Sequence, residues 1–147
     1  MSLPYENATS GNNAVQEIQK ILRGFGCGKF GTGEDFDTGE LFIQFEHQGR
    51  MVHLKASARG YAAAWLKEHP HGPRIKATRA EHEAKALHIG GIAVYSILRD
   101  WIKGQVTAIE IGMLTFDAAF LAHIMLPNGQ TVIESVTAQK LLGGPNG

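Results

Sequence analysis

The segment ELFIQFEH-QG-RMVHLKA, residues 40–56, constrains this chain more than any other stretch. Two runs rich in strand-forming residues flank Gln48-Gly49, the length of a two-residue hairpin turn. That turn fixes a register in which His47 faces Arg50, Phe45 faces Val52, Ile43 faces Leu54 and Leu41 faces Ala56. The last three of those pairs are apolar throughout, so one sheet face is core. The other face pairs Phe42 with Lys55, Gln44 with His53 and Glu46 with Met51, a mixed polar surface suited to solvent. A one-residue slip would invert both faces, so pattern and turn support each other.

The remaining elements are arranged around this hairpin. Asn13 is a suitable cap for a first helix whose stripe is Ala14, Ile18, Leu22 and Phe25, ended by Gly24 and Gly26. The glycine-rich stretch 26–39 holds an irregular first strand. Ser57 caps a second helix through Lys67, with Tyr61, Ala64 and Trp65 facing inward, and Pro70 and Pro73 break the chain after it. Thr78 and Glu81 have the spacing of a capping box at the head of a long third helix. Its expected buried stripe is Ala84, Leu87, Gly91, Val94, Leu98, Trp101 and Ile102. Residues 105–111 fit either the end of that helix or a strand. Thr115 caps a fourth helix over 116–125, and 130–136 forms a short strand or a final turn.

The expectation is an α+β fold: an N-terminal helix, a three-stranded antiparallel meander, then three helices including one long helix packed on one sheet face. A length of 147 residues suits one domain, placed at 4–136, with 1–3 and 137–147 as frayed or cloning-derived ends. A hydrophobic content of 44% and a charged content of 19% are ordinary for a folded chain. The single Cys27 excludes an intrachain disulfide and a multi-cysteine zinc site. The opening residues have neither a basic start nor an apolar run, so no signal peptide is expected. No apolar stretch reaches the ~20 residues of a membrane helix. A cytoplasmic location is the expectation.

Fourteen basic and fourteen acidic residues balance, which argues against a protein that coats nucleic acid but leaves room for a local basic patch. Such a patch exists at Lys67, Arg74, Lys76 and Arg79, continued by Lys85, around the proline-broken connection and the start of the long helix. The same stretch carries four of the seven histidines, His69, His71, His82 and His88. His82 and His88, six apart on a helix, point to different sides, and no metal-ligand motif is present, so locally bonded or solvated histidines are expected. The four are read as neighbours in sequence and not in space. No metal, cofactor or catalytic residue is assigned.

Other chemistry is excluded by context. Gly26-Cys27-Gly28-Lys29-Phe30-Gly31 has dinucleotide-fingerprint spacing, but it follows a helix and enters a strand, the reverse of what a phosphate site needs. Cys27 and one of the histidines form a nucleophile pair only if the fold brings them together. Asp35, Asp37 and Glu40 before the second strand make the order similar to metal-dependent nucleases. The third strand, however, reads His53-Leu54-Lys55 where those enzymes place an acidic residue two before a lysine. At most this is a degenerate nuclease-like domain.

Residues 13–68 resemble the double-stranded-RNA-binding domain in element order. That family's basic cluster opens the second helix, and here the matching segment supplies only Lys55 and Arg59. YENATSG at 5–11, KASARGYAAAWLKEHP at 55–70 and AVYSILRDWIKGQVTAIEIG at 93–112 are similar to small phage and prophage proteins without an assigned activity. The resemblance implies a host-cytoplasm location and a role in phage DNA transactions or in modulating a host protein, and it transfers no catalytic residue. The function expected is a non-catalytic accessory protein that binds a macromolecular partner. The partner classes are a host protein, DNA or RNA through Lys67, Arg74, Lys76 and Arg79, or a second copy through the small-residue face of the long helix.

Overall fold

The computed structural model describes residues 2–144. Helix α1 spans Gly11–Phe25 and buries Ala14, Ile18 and Leu22. Its cap is Ser10, whose hydroxyl accepts the Asn13 amide at 3.2 Å, so Asn13 lies inside the first turn and is not the cap. Gly26 ends it at φ 100°, a left-handed conformation that glycine adopts without steric cost.

Strands β1 (Lys29–Asp35), β2 (Glu40–His47) and β3 (Arg50–Ser57) form an antiparallel sheet in the order β1-β2-β3. The β2–β3 register is the expected one at every pair from Leu41 with Ala56 to His47 with Arg50. Gln48 and Gly49 both have positive φ, 50° and 82°, as the favoured hairpin turn requires. β1 is regular along its length, pairing from Lys29 with Glu46 to Asp35 with Glu40.

Helix α2 (Ala58–Glu68) starts directly from β3, capped by Ser57, whose hydroxyl accepts the Gly60 amide at 2.9 Å. Helix α3 (Arg79–Glu110) has 32 residues, an axial length of ~48 Å. The Thr78–Glu81 capping box is formed in both directions, at 3.1 Å each. Residues 105–110 continue the helix. Helix α4 is only Phe116–Phe120, followed by a 3-10 turn at Leu121–His123, so the helix expected over 116–125 is shortened. A further helix, α5 (Val132–Ala138), stands where a strand or turn was expected. A second capping box, Thr131 with Glu134, starts it. The chain is thus an α+β fold whose helices pack on one face of a three-stranded sheet.

The core lies between that face and the helices. Ile43, Phe45, Val52 and Leu54 from the sheet meet Ile18 and Leu22 of α1, Ile102 and Val106 of α3, and Phe120 and Ile124. Phe45 and Phe120 pack edge to face, with ring centres 5.4 Å apart. Each of these side chains contributes ~1.5–3 kcal/mol by leaving water, which makes this layer the main source of stability.

The first half of α3 turns a different face inward from the one expected. Ala86, Gly90 and Ala93 are buried with His82, while Ala84 and Leu87 are exposed. A Cβ built on Gly90 would lie 2.6 Å from the Ala58 carbonyl oxygen, so α2 and α3 touch backbone to backbone there. Close approach selects the smallest residues, and the larger Leu87 is left outside.

Candidate functional site

The candidate site is the connection between α2 and α3, where the sequence concentrates cations and histidines. Pro70 and Pro73 end α2 and prevent it from continuing. The Ile75 amide donates to the Gly72 carbonyl at 3.0 Å and closes a turn that brings the chain back toward α2.

Three of the four histidines meet at the base of this loop, contrary to the expectation that they stay apart. His69 stacks on Trp65 with ring centres 4.4 Å apart and planes 14° from parallel. His82 lies 5.2 Å from Trp65 and 5.6 Å from His71. Trp65 and His82 are both 5% exposed. Each imidazole also holds backbone. Nε2 of His82 donates to the His69 carbonyl at 2.6 Å, and Nε2 of His71 donates to the Ala77 carbonyl at 2.8 Å. Nδ1 of His69 donates to the Trp65 carbonyl at 3.1 Å. Because a carbonyl only accepts, these contacts fix which nitrogen carries the proton. Nε2 of His69 lies 3.7 Å from the Glu6 carboxylate, and the Lys85 ammonium sits 5.9 Å over the Trp65 ring. His88, on the other side of α3, is exposed and outside the group.

The arrangement staples the loop; it does not assemble a metal centre. Three imidazole nitrogens are occupied by carbonyls. Among the described residues, no group of three or more His, Cys, Asp or Glu is placed to hold an ion.

On the loop and at the helix ends beside it are Lys67, Arg74, Lys76 and Arg79, all exposed and with no side-chain ion pair or hydrogen bond among the described residues. Several cations elsewhere are engaged. Arg50 meets Asp117 at 2.8 Å, Lys55 meets Glu134 at 3.4 Å, and Arg99 meets Asp100 at 2.9 Å. Among the described residues Lys20, Arg23, Lys103 and Lys140 are also unpaired, but they are dispersed over α1, the far end of α3 and the segment after α5. Lys20 lines a cleft with Lys103 and Glu110, at the far end of α3. Arg79 opens α3, where the positive end of the helix dipole disfavours a cation. The nearest first-turn carboxylate, Glu81, is committed to the cap; the Thr78 amide and hydroxyl hold its carboxyl below the usual range. None of the four cations is therefore held in a short-range ion pair among the described residues.

The other candidate chemistries do not assemble. Asp35 accepts the amides of Asp37 and Thr38 at 2.9 and 3.1 Å, which lower its pKa and close the β1–β2 turn. Lys55 is turned toward Glu134, and an Arg59 nitrogen donates to the Phe36 carbonyl at 3.4 Å. The two cations that the double-stranded-RNA-binding resemblance would use are thus both occupied.

Cys27 does find a histidine, His47, with Sγ 4.0 Å from Nδ1. His47 packs against Phe25 at 4.2 Å and Phe116 at 5.0 Å, and these two rings also touch each other at 6.3 Å. Burial pushes the thiol up to about 11 and lowers the imidazole pKa, so both groups stay neutral. An activated nucleophile needs the opposite shift on its thiol. The sequence held no signal for this pair, which lies 20 residues apart and is joined only by the sheet.

No family model, curated protein or solved structure matches the chain. Among the described residues, no helix is long and apolar enough to cross a membrane.

Proposed function

We propose that this protein is a non-catalytic accessory module that binds nucleic acid through the α2–α3 loop. The observation carrying this reading is that Lys67, Arg74, Lys76 and Arg79 are exposed, lie on the α2–α3 loop or at the helix ends beside it, and have no ion-pair partner among the described residues. Cations held without a counter-charge repel one another and weaken the fold, whereas a phosphate backbone supplies charges at a repeat that such a loop can follow. The histidine–tryptophan base supports the reading further, because a stapled loop loses less entropy on binding than a free one. With a formal net charge of zero, attraction is local to this edge.

The test is binding of labelled single-stranded and duplex DNA and duplex RNA at low salt. The native chain should bind at least one of them. The combined variant Lys67→Gln, Arg74→Gln, Lys76→Gln, Arg79→Gln should bind at least about tenfold more weakly, as expected when several phosphate contacts are lost. No binding by the native chain, or equal binding by the variant, refutes the reading and leaves a protein partner.

A further inference from the structure

The outer edge of β1 carries a second inference, which holds whether or not the basic loop binds nucleic acid. In a two-residue hairpin the closing residues form a hydrogen-bonded pair, and bonded pairs then alternate along the ladder. His47 with Arg50 is such a pair, as are Phe45 with Val52, Ile43 with Leu54 and Leu41 with Ala56. Glu40, Phe42, Gln44 and Glu46 therefore turn their backbone groups toward β1, where Asp35, Gly33, Gly31 and Lys29 receive them. The Gly28 amide donating to the Glu46 carbonyl at 3.2 Å agrees with this parity. Phe30, Thr32 and Glu34 are left with their N–H and C=O groups directed away from the sheet. Among the described residues, nothing bonds to those groups.

The opposite edge of the sheet is treated differently. The chain covers β3 itself: Val52 bridges to Ile124, and the Met125 amide donates to the Met51 carbonyl at 2.8 Å. β1 has no such cover and few of the usual defences of an edge strand. It has no proline, its register with β2 is unbroken from Lys29 to Asp35, and its charges stand toward its ends.

Its sequence, KFGTGED, complements itself. Laid antiparallel on a second copy with Thr32 on the two-fold axis, Lys29 faces Asp35, Phe30 faces Glu34 and Gly31 faces Gly33. Opposite charges meet at both ends, and the residues with free backbone groups meet one another. About six new hydrogen bonds close, two for each bonded pair. The paired glycines leave the faces of the new seam free of side chains at that position. At Gly33 the Phe42 ring already fills the vacant position, where a Cβ would lie 2.0 Å from a ring carbon. A parallel pairing would place lysine beside lysine, so the charge pattern selects the symmetric antiparallel arrangement.

We propose that two copies of this chain associate through β1 about Thr32, joining two three-stranded sheets into one six-stranded sheet. Mass measured across micromolar to millimolar concentration, together with amide exchange, tests this. The native chain should form a dimer in which the Phe30, Thr32 and Glu34 amides gain protection as concentration rises. Thr32→Pro removes an outward N–H while leaving the bonds to β2, and should abolish the dimer. Lys29→Glu places like charges opposite each other at both ends, and should raise the dissociation constant at least about tenfold even if the proline variant fails to fold. A native chain that stays monomeric overturns the proposal. So does a dimer undiminished by Lys29→Glu, or one whose Phe30, Thr32 and Glu34 amides exchange freely.

Discussion

His82 donates a hydrogen bond to the carbonyl of His69 across 13 residues, at 2.6 Å, and so ties the head of α3 to the end of α2. The side chain is buried against Trp65, so it fills space as well as making the bond. The basic loop lies between its two anchors.

Removing that staple should loosen the loop before it unfolds the domain. His82→Ala leaves the His69 carbonyl without its donor and a cavity beside Trp65. A loss of ~2–3 kcal/mol is expected, from the orphaned acceptor and the lost packing together. Thermal unfolding should show a midpoint lower by roughly 5–10 °C. Limited proteolysis should cut within residues 69–78. An unchanged midpoint with an uncut loop would show that the bond holds nothing in place.

Gly90 and Gly91 are neighbours with opposite expectations. Gly90→Ala drives a Cβ to 2.6 Å from the Ala58 carbonyl and 3.3 Å from the Ala62 amide, both backbone atoms that move only with α2. It should destabilise by ~2 kcal/mol or more, in the range of overpacked cores. Gly91→Ala meets nothing within 4 Å and lies within a helix, so it should stabilise by ~0.5–1 kcal/mol. Denaturant titrations of the two variants give the signs directly. Matching signs would remove the case for backbone contact between α2 and α3.

The fold should lose stability on mild acidification. Burial lowers the pKa of His47, His53 and His123 in the folded state, with the Lys55 charge adding to the effect at His53. A depressed folded value means the stabilisation is complete above the unfolded value near 6.5 and is lost as pH falls through the folded values. Unfolding midpoints measured from pH 7.5 to 5 should therefore decline. His47→Phe keeps a ring against Phe25 and Phe116 without a proton to gain, and should flatten the decline. A variant that declines as steeply as the native chain would show that His47 takes no part.

The sequence was most informative where local rules and burial agree. Residues 40–56 reveal their register because the turn length and the alternation of apolar residues demand the same pairing. Ser57 and the Thr78–Glu81 box are equally plain, since capping depends on residues three apart. Ser10 is not distinguishable in sequence because Asn13 is as good a capping residue on composition alone. Thr131 with Glu134 was hidden by the strand-like TVIESV that follows. The inward face of α3 is not legible from bulk, which marks a buried face in most helices, because α2 approaches too closely here for anything larger than alanine or glycine. The histidine base was least legible: His69, His71 and His82 meet only because Pro70, Pro73 and the turn at Gly72 fold the chain back. The cations of the loop were visible by spacing, but their lack of partners emerges only in three dimensions.

The salt dependence of nucleic-acid affinity tests the central claim most directly. Four phosphate contacts on duplex DNA predict a slope of log affinity against log salt of roughly −3.5, and slightly less on a single strand. The variant lacking the charges of Lys67, Arg74, Lys76 and Arg79 should show a slope near zero with its thermal midpoint retained. A native slope near zero, or a steep slope surviving in the variant, would contradict the assignment of the α2–α3 loop as the binding edge.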